Sequence, residues 1–322
     1  MGTEGTIVFV VVVGARFLIP LLIPRFPLPA IVASLVLDGV DQTIFQSFGY
    51  DPPNYQSYDK AMDVYYLAIA YLSTMRNWTS QSALAVARFL YFYRLVGVTA
   101  FELTDWRPLL LIFPNTFEYF FIAYEIIRLH RDPNRRSMRF WVITAAAIWI
   151  FVKLPQEYWI HVAQLDVTDT VAKYPVAAAV IAVIAVVVGL VAWLVIRRRL
   201  PAPDWPWRVA ADPLPAGIDT IARARVWSMA TAEKIVLVGL ISVIYAEILP
   251  ERRTSNLQLF LGVAVFVVVN AAISLWVARR FRTLQSIVAA FGARVVLNVV
   301  LVLLAGWLLD RGPGDINPGI AL

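Results

Sequence analysis

The sequence predicts an all-α fold, a polytopic membrane bundle of about ten transmembrane helices. Three observations carry this expectation. Hydrophobic residues make up 60% of the chain and charged residues 16%, where soluble domains hold roughly 45–50% and roughly 25%. Mean hydropathy is +0.70. The apolar residues fall in runs of about 20, the length that crosses the hydrocarbon of a bilayer. In water, a chain of 322 residues with this composition would leave extensive apolar surface exposed, so the bilayer is the expected solvent.

In chain order the runs lie near residues 6–24, 28–48, 57–75, 80–103, 108–129, 138–162, 174–196, 230–249, 257–277 and 284–309. The first contains TIVFVVVVGARFLIPLLI. It lacks a basic leading segment and a small-residue cleavage site, and is therefore expected to be a permanent span. Pro20, Pro114 and Pro155 fall inside runs and predict kinks rather than breaks. The long polar connection from Arg197 to Trp227 carries prolines that forbid a regular helix through its first half. Its Trp205, Trp207 and Trp227 suit the headgroup level. The expected division is a seven-helix membrane region over 1–197, a cytoplasmic or interfacial linker over 198–229, and a three-helix membrane region over 230–322.

Orientation is read from lysine and arginine in short connections. RLHRDPNRRSMR, IRRRL and ARRFRT fall on one side of a ten-span count, together with Arg25 and Arg76. The acidic pieces, including YDPPNYQSYD, ELTD and the DRGPGD tail, fall on the other; the ERRT segment is an exception. Both termini are therefore expected outside, with the basic loops cytoplasmic and a bacterial plasma membrane as the location. The same arrangement accounts for the net charge of +6 and the pI near 9.6. No basic–aromatic patch appears, so nucleic acid is not an expected partner. The absence of cysteine excludes thiol chemistry, and two histidines make a histidine-rich metal site improbable.

The informative residues are charges within the runs, because a single charge at the bilayer centre costs roughly 2.5–3.5 kcal/mol on translocon scales. Asp38 lies roughly 16 Å along the second helix at the usual rise, near mid-membrane, with Asp41 and Gln42 on the same face. Asp59 and Asp63 are one turn apart in the third run, and Tyr66 continues their face. Possible cationic partners are Arg16 in the first run, Arg88 and Arg94 in the fourth, and Arg294 in the tenth. Asn115, Glu118 and Glu125 share a stripe of the fifth; Lys153, Glu157 and His161 follow at successive one-turn steps around Pro155. Asn270 and Asn298 add neutral polar groups. None of these faces lipid cheaply, so the helices are expected to enclose a polar interior. An Arg–Asp pair alone would serve to fasten helices. Two carboxylates one turn apart repel when ionised, however, and call for a bound cation, a shared proton or a double arginine clamp.

The spacing of Asp38, Asp41, Asp59 and Asp63 resembles the aspartate frame of the CDP-alcohol phosphatidyltransferases, DxxDGxxARx8GxxxDxxxD. In this chain Gln42, Phe45-Gln46 and Tyr55 stand at the glycine, Ala-Arg and second glycine positions. The resemblance implies phosphoryl transfer to an alcohol, with Asp38, Asp41, Asp59 and Asp63 as ligands to Mg²⁺ or Mn²⁺ and Asp63 also as the catalytic base.

Three functions remain open on the sequence. The leading expectation is an ion- or proton-coupled transporter of a small polar solute, with Asp38, Asp41, Asp63, Arg16, Arg88, Arg294 and Glu118 binding the solute or ion. The second is a membrane-embedded, metal-dependent transferase acting on a lipid or lipid-linked substrate. The third is a non-enzymatic scaffold or assembly factor whose charges only join helices. The expected partners are the lipid bilayer with ions, protons or such a substrate; the sequence points to no protein partner.

Overall fold

The computed structural model describes residues 3–50, 55–158, 203–211, 226–248 and 255–280, with isolated helical positions between 173 and 194 and between 292 and 303. Every regular element is helical, with no strand among the described residues. Six helices there are long and apolar enough to span a membrane, and Ile7–Leu22 is a shorter apolar helix. The chain divides into two compact units, Met1–Leu214 and Pro215–Leu322, separating within the proline-rich connection.

In the first unit, helix α1 (Thr3–Leu18) continues into a 3₁₀ turn at Ile19–Leu22 that accommodates Pro20. Helix α2 (Pro27–Ser47) begins with proline in its first turn, where no amide donor is needed. It ends in a Schellman turn: Gly49 takes φ 65°, its N–H donates to the Gln46 carbonyl at 2.9 Å, and the Tyr50 N–H donates to the Phe45 carbonyl at 3.0 Å. The Tyr50 ring then packs edge-on against Phe45, with centroids 5.9 Å apart.

Helix α3 (Tyr55–Asn77) carries Asp59, Lys60 and Asp63 in its first half and is the least apolar of the long helices. Helix α4 (Gln81–Thr104) is capped by the Ser80 hydroxyl, which accepts from the Ala83 N–H. Side-chain contacts show successive antiparallel packing. Phe9 meets Phe45; Tyr55 reaches Asp41 at one end of α3 while Asn77 donates to the Pro24 carbonyl at the other. Between α3 and α4, Lys60 pairs with Glu102 and Tyr71 stacks on Tyr91.

The fifth apolar run is interrupted more deeply than a kink. It forms α5 (Pro108–Ile112) and α6 (Thr116–Arg128), with the backbone unwound between them. Pro114 has no amide hydrogen, and Phe113 before it leaves the helical region at φ −110° and ψ 65°. The freed carbonyls find donors on α4. The Tyr93 hydroxyl donates to the Ile112 oxygen and the Arg94 guanidinium to that of Phe113, both at 2.9 Å. Unwound backbone at membrane depth is tolerable only with such partners. Helix α7 (Met138–Ile148) leads through a π turn, Trp149–Lys153, into α8 (Leu154–Glu157), so the irregularity expected of Pro155 sits one turn ahead of it.

Burial is inverted relative to a soluble protein. Asp41, Glu118, Glu125, Arg128, Lys153 and Glu157 lie inside, while Val36, Phe89, Ile143 and Phe151 face outward, Phe151 at 78% exposure. Aliphatic side chains outside and carboxylates inside are stable only when the surroundings are apolar. The core between these layers is aromatic: Trp78 stacks on Tyr124 at 3.7 Å, and Trp141, Phe117, Phe120 and Phe121 are fully buried. The six spans and this inverted burial are those of an integral membrane protein.

One close approach is set by glycine. A β-carbon on Gly97 of α4 would collide with the Phe113 side chain at the unwound segment. Gly97→Ala is expected to cost about 1–3 kcal/mol by overpacking. A lowered thermal midpoint in detergent, with helix content retained by circular dichroism, checks it.

Residues 203–211 also belong to the first unit and lie across the end that carries its basic connections. The Ala211 N–H donates to the Arg25 carbonyl at 2.9 Å, and the Asp204 N–H donates to the His130 carbonyl at 3.2 Å. The backbone N–H of Asp132, with Arg135 beside it, holds the Asp204 carboxyl below the usual carboxylate range. This part of the expected linker is thus a strap on the bundle rather than a free tether.

In the second unit, α9 (Met229–Ile248) and α10 (Asn256–Arg280) pack against each other, with the Phe260 ring lying over Gly239. Asn256 Nδ2 donates to Glu247 at 2.7 Å, and Asn270 Nδ2 donates to Asn298 Oδ1 at 3.0 Å. The two neutral polar groups singled out in the sequence therefore satisfy each other.

Candidate functional site

The strongest polar constellation is built by the first three helices. Helix α1 brings Arg16, 5% exposed, to the centre. Helix α2 presents Asp38 and Asp41 at i and i+3, and α3 presents Asp59 and Asp63 at i and i+4, so each pair shares a helix face. The guanidinium engages all four carboxylates. Its Nη1 donates to Asp41 and, at 2.8 Å, to Asp59; its Nη2 donates to Asp38 and, at 3.3 Å, to Asp63. The planar fork of arginine suits such multiple donation, which a lysine ammonium could not reproduce.

The four aspartates are not equivalent. Asp41 has no exposed surface, and its second oxygen accepts from the Tyr55 hydroxyl. Tyr55 occupies the second-glycine position of the transferase frame, so the departure from that frame supplies a hydrogen bond. The Tyr58 ring covers the guanidinium at 5.3 Å. Asp38 is 23% exposed, and Asp59 and Asp63 are 34% and 35% exposed. These three offer carboxylate oxygens within 4.8 Å of one another, a separation one cation can bridge. The residues present fit a single hard cation at Asp38, Asp59 and Asp63. They do not fit four-aspartate ligation, since the Asp41 oxygens are taken by Arg16 and Tyr55.

A second polar group lies next to the first. Tyr66, one turn beyond Asp63, donates to Glu118 at 2.6 Å, and Asn115 Nδ2 donates to the other Glu118 oxygen at 3.0 Å. The Asn115 backbone N–H donates to Glu157 at 3.3 Å, and Glu157 pairs with Lys153 at 3.5 Å. Lys153 also donates to Gln156 at 2.9 Å and lies over the Tyr119 ring. The unwound segment around Pro114 thus exposes a backbone donor to a buried carboxylate, and a seam of polar groups runs from Tyr66 on α3 to Lys153 before α8.

The sequence candidates separate accordingly. Arg16 gathers Asp38, Asp41, Asp59 and Asp63. Glu118 lies on the adjoining seam, whereas Glu125 from the same stripe turns to Trp78 and Arg128. Arg88 is on another face of α4, exposed, beside Phe89, Phe92 and Tyr93. Arg294 and His161 lie outside the described residues. The sequence reading passed over Tyr55, Tyr58, Lys60 and Arg107. Their hydroxyls and charges sit in polar-looking segments, where nothing local marks them as lining a site.

Beside the cluster, α3, α4 and α5 enclose a cavity of about 360 Å³. Asp59, Asp63, Arg94 and Arg107 line it, together with the Lys60–Glu102 pair, which is 3.1 Å apart. Apolar side chains including Leu67, Leu95 and Leu110 complete the lining. No family model, curated protein or solved structure matches the chain.

Proposed function

We propose that this protein is a membrane transporter that couples a small polar solute to a cation, a proton or a metal ion held at the Arg16 carboxylates. The observation that carries the reading is charge imbalance. One guanidinium serves four carboxylates, leaving up to three negative charges uncompensated within the helices. Ionised carboxylates so close together are stable only with added positive charge, and both a proton and a small cation supply it. Carboxylates within a helical membrane unit, near an unwound helix, are where coupling ions are expected to bind. We take the full chain to cross the membrane about ten times, with both termini outside and the arginine-rich connections in the cytoplasm of a bacterial cell.

Asp38→Asn is the test. It leaves Arg16 with three carboxylates and so orphans no charge, and the protein should fold and express normally. Proton or cation flux into proteoliposomes should fall at least tenfold. Unchanged flux would remove the reading.

A metal-dependent transferase acting on a lipid or lipid-linked substrate is the second reading, favoured by the convergence of Asp38, Asp59 and Asp63. There Asp38, Asp59 and Asp63 would hold Mg²⁺ or Mn²⁺, which would offset charge on a phosphoryl group. Activity would then require the ion and vanish on replacing any of the three. If neither flux nor transfer is found and charge reversal across Arg16 and Asp38 preserves stability, the cluster serves as a helix fastener.

A further inference from the structure

We propose that the α3–α4–α5 cavity binds a small zwitterion with a hydrocarbon side, its ammonium at Asp59 and Asp63 and its oxyanion at Arg94 and Arg107. The inference names the solute class of the transport reading and rests on that reading for what happens after binding.

Lys60 and Glu102 pair with each other at 3.1 Å, and Lys60 lies over the Phe101 ring, so these two largely cancel. There remain Asp59 and Asp63, each about a third exposed although both touch Arg16. Arg94 and Arg107 line the same cavity, and neither forms an ion pair with a carboxylate among the described residues. Arg94 donates from one nitrogen to the Phe113 carbonyl, which fixes the side chain, and its charge also reaches Glu118. Two guanidinium groups and two carboxylates therefore line one cavity, which carries charge of both signs.

That polarity selects among ligands. A plain anion attracted to the arginines would meet Asp59 and Asp63; a plain cation attracted to the aspartates would meet Arg94 and Arg107. A zwitterion satisfies both kinds of charge, and arginine pairs with carboxylate or phosphate through two parallel hydrogen bonds. The hydrocarbon part has Val64, Leu95, Val98 and Leu110 to rest on. A cavity of about 360 Å³ lies at the small end of ligand sites, which run from roughly 300 to 1,000 Å³. The same zwitterionic chemistry is offered by a free apolar amino acid and by an aminophospholipid headgroup.

The experiment is isothermal titration calorimetry on the full chain in a neutral detergent. The probes are leucine, leucine methyl ester (cation only), 4-methylpentanoate (anion only) and a short-chain phosphatidylethanolamine. At least one zwitterion should bind, and at least tenfold more tightly than both single-charge analogues. Leucine binding identifies a free solute; binding of phosphatidylethanolamine alone identifies a lipid headgroup. Arg107→Gln, at an exposed position, should leave the thermal midpoint unchanged, weaken the zwitterion at least tenfold and leave the ester unchanged; Arg94→Gln should weaken the zwitterion likewise. Equal binding of a single-charge analogue, no binding of either zwitterion, or no effect of Arg107→Gln would overturn the assignment. Flux of the bound probe into proteoliposomes is measured separately. Binding without flux keeps the zwitterion site and removes transport, whereas cation flux without zwitterion binding does the reverse.

Discussion

Arg16→Gln is expected to be the most damaging single substitution in the first unit. It removes the only cation in contact with Asp38, Asp41, Asp59 and Asp63 among the described residues and leaves those carboxylates facing one another between α2 and α3. Breaking a buried pair by deleting one partner costs roughly 3–5 kcal/mol, because the remaining charge keeps its desolvation penalty and loses its compensation. Here several carboxylates share that loss, so the upper end of the range is expected. Arg16→Lys should recover only part of it, since a compact ammonium cannot span acceptors on two helices as the fork does. The measurement is thermal unfolding of the purified protein in detergent. Adding Asp38→Asn and Asp63→Asn to Arg16→Gln should restore much of the lost midpoint, because the partners that repel are removed together. If the triple variant is no more stable than Arg16→Gln, the loss does not arise from charge.

Glu125→Ala is expected to come second. Glu125 is fully buried and holds two donors at once: Trp78 Nε1–H at 2.8 Å and Arg128 Nε–H at 2.7 Å. Removing the carboxylate strips the buried Arg128 of its ion pair and leaves the Trp78 indole donor in an aromatic core, for a loss of about 3–5 kcal/mol. Trp78 also stacks on Tyr124, and Arg128 Nη1 donates to the Ala210 carbonyl at 3.3 Å. The damage should therefore reach the strap as well as the core. Glu125→Gln keeps an acceptor oxygen for one donor and should cost visibly less. Equal midpoints for the two variants would mean that the charge, and not the hydrogen bonding, supplies the stability. Limited proteolysis within 203–211 should be faster in Glu125→Ala than in the parent.

These two sites show how unevenly the sequence revealed the interior. Asp38, Asp41, Asp59 and Asp63 were legible because charge in an apolar run has a known cost, and because positions three and four apart share a helix face whatever the fold. Arg16 was legible for the same reason, though only as one of several possible cations. Glu125 was legible as a buried acid but was placed on a stripe with Glu118, whose partners are different. The stripe holds, since both lie on α6 beyond Pro114, but they are about two turns apart along it and so meet different neighbours. Tyr55, Lys60 and Arg107 were missed because a tyrosine or a charge near a helix end is unremarkable until the neighbouring helix is seen.

By itself the sequence determined that the chain is helical and lies in a membrane, where the apolar helices of the described residues begin and end to within a few residues apart from the break in the fifth run, and which charges are costly to bury; the runs at 174–196 and 284–309 lie largely outside the described residues. Those properties are local: they depend on composition, on the length of an apolar run and on the 3.6-residue repeat. Tertiary structure alone decided that Arg16 holds four aspartates while Arg88 faces elsewhere, and that Arg94 and Arg107 line one cavity with Asp59 and Asp63. Partner choice depends on the rotation and depth of each helix relative to its neighbours. Those are set by the packing of large aromatic side chains such as Tyr71 on Tyr91 and Trp78 on Tyr124, across gaps in the chain that no local repeat spans.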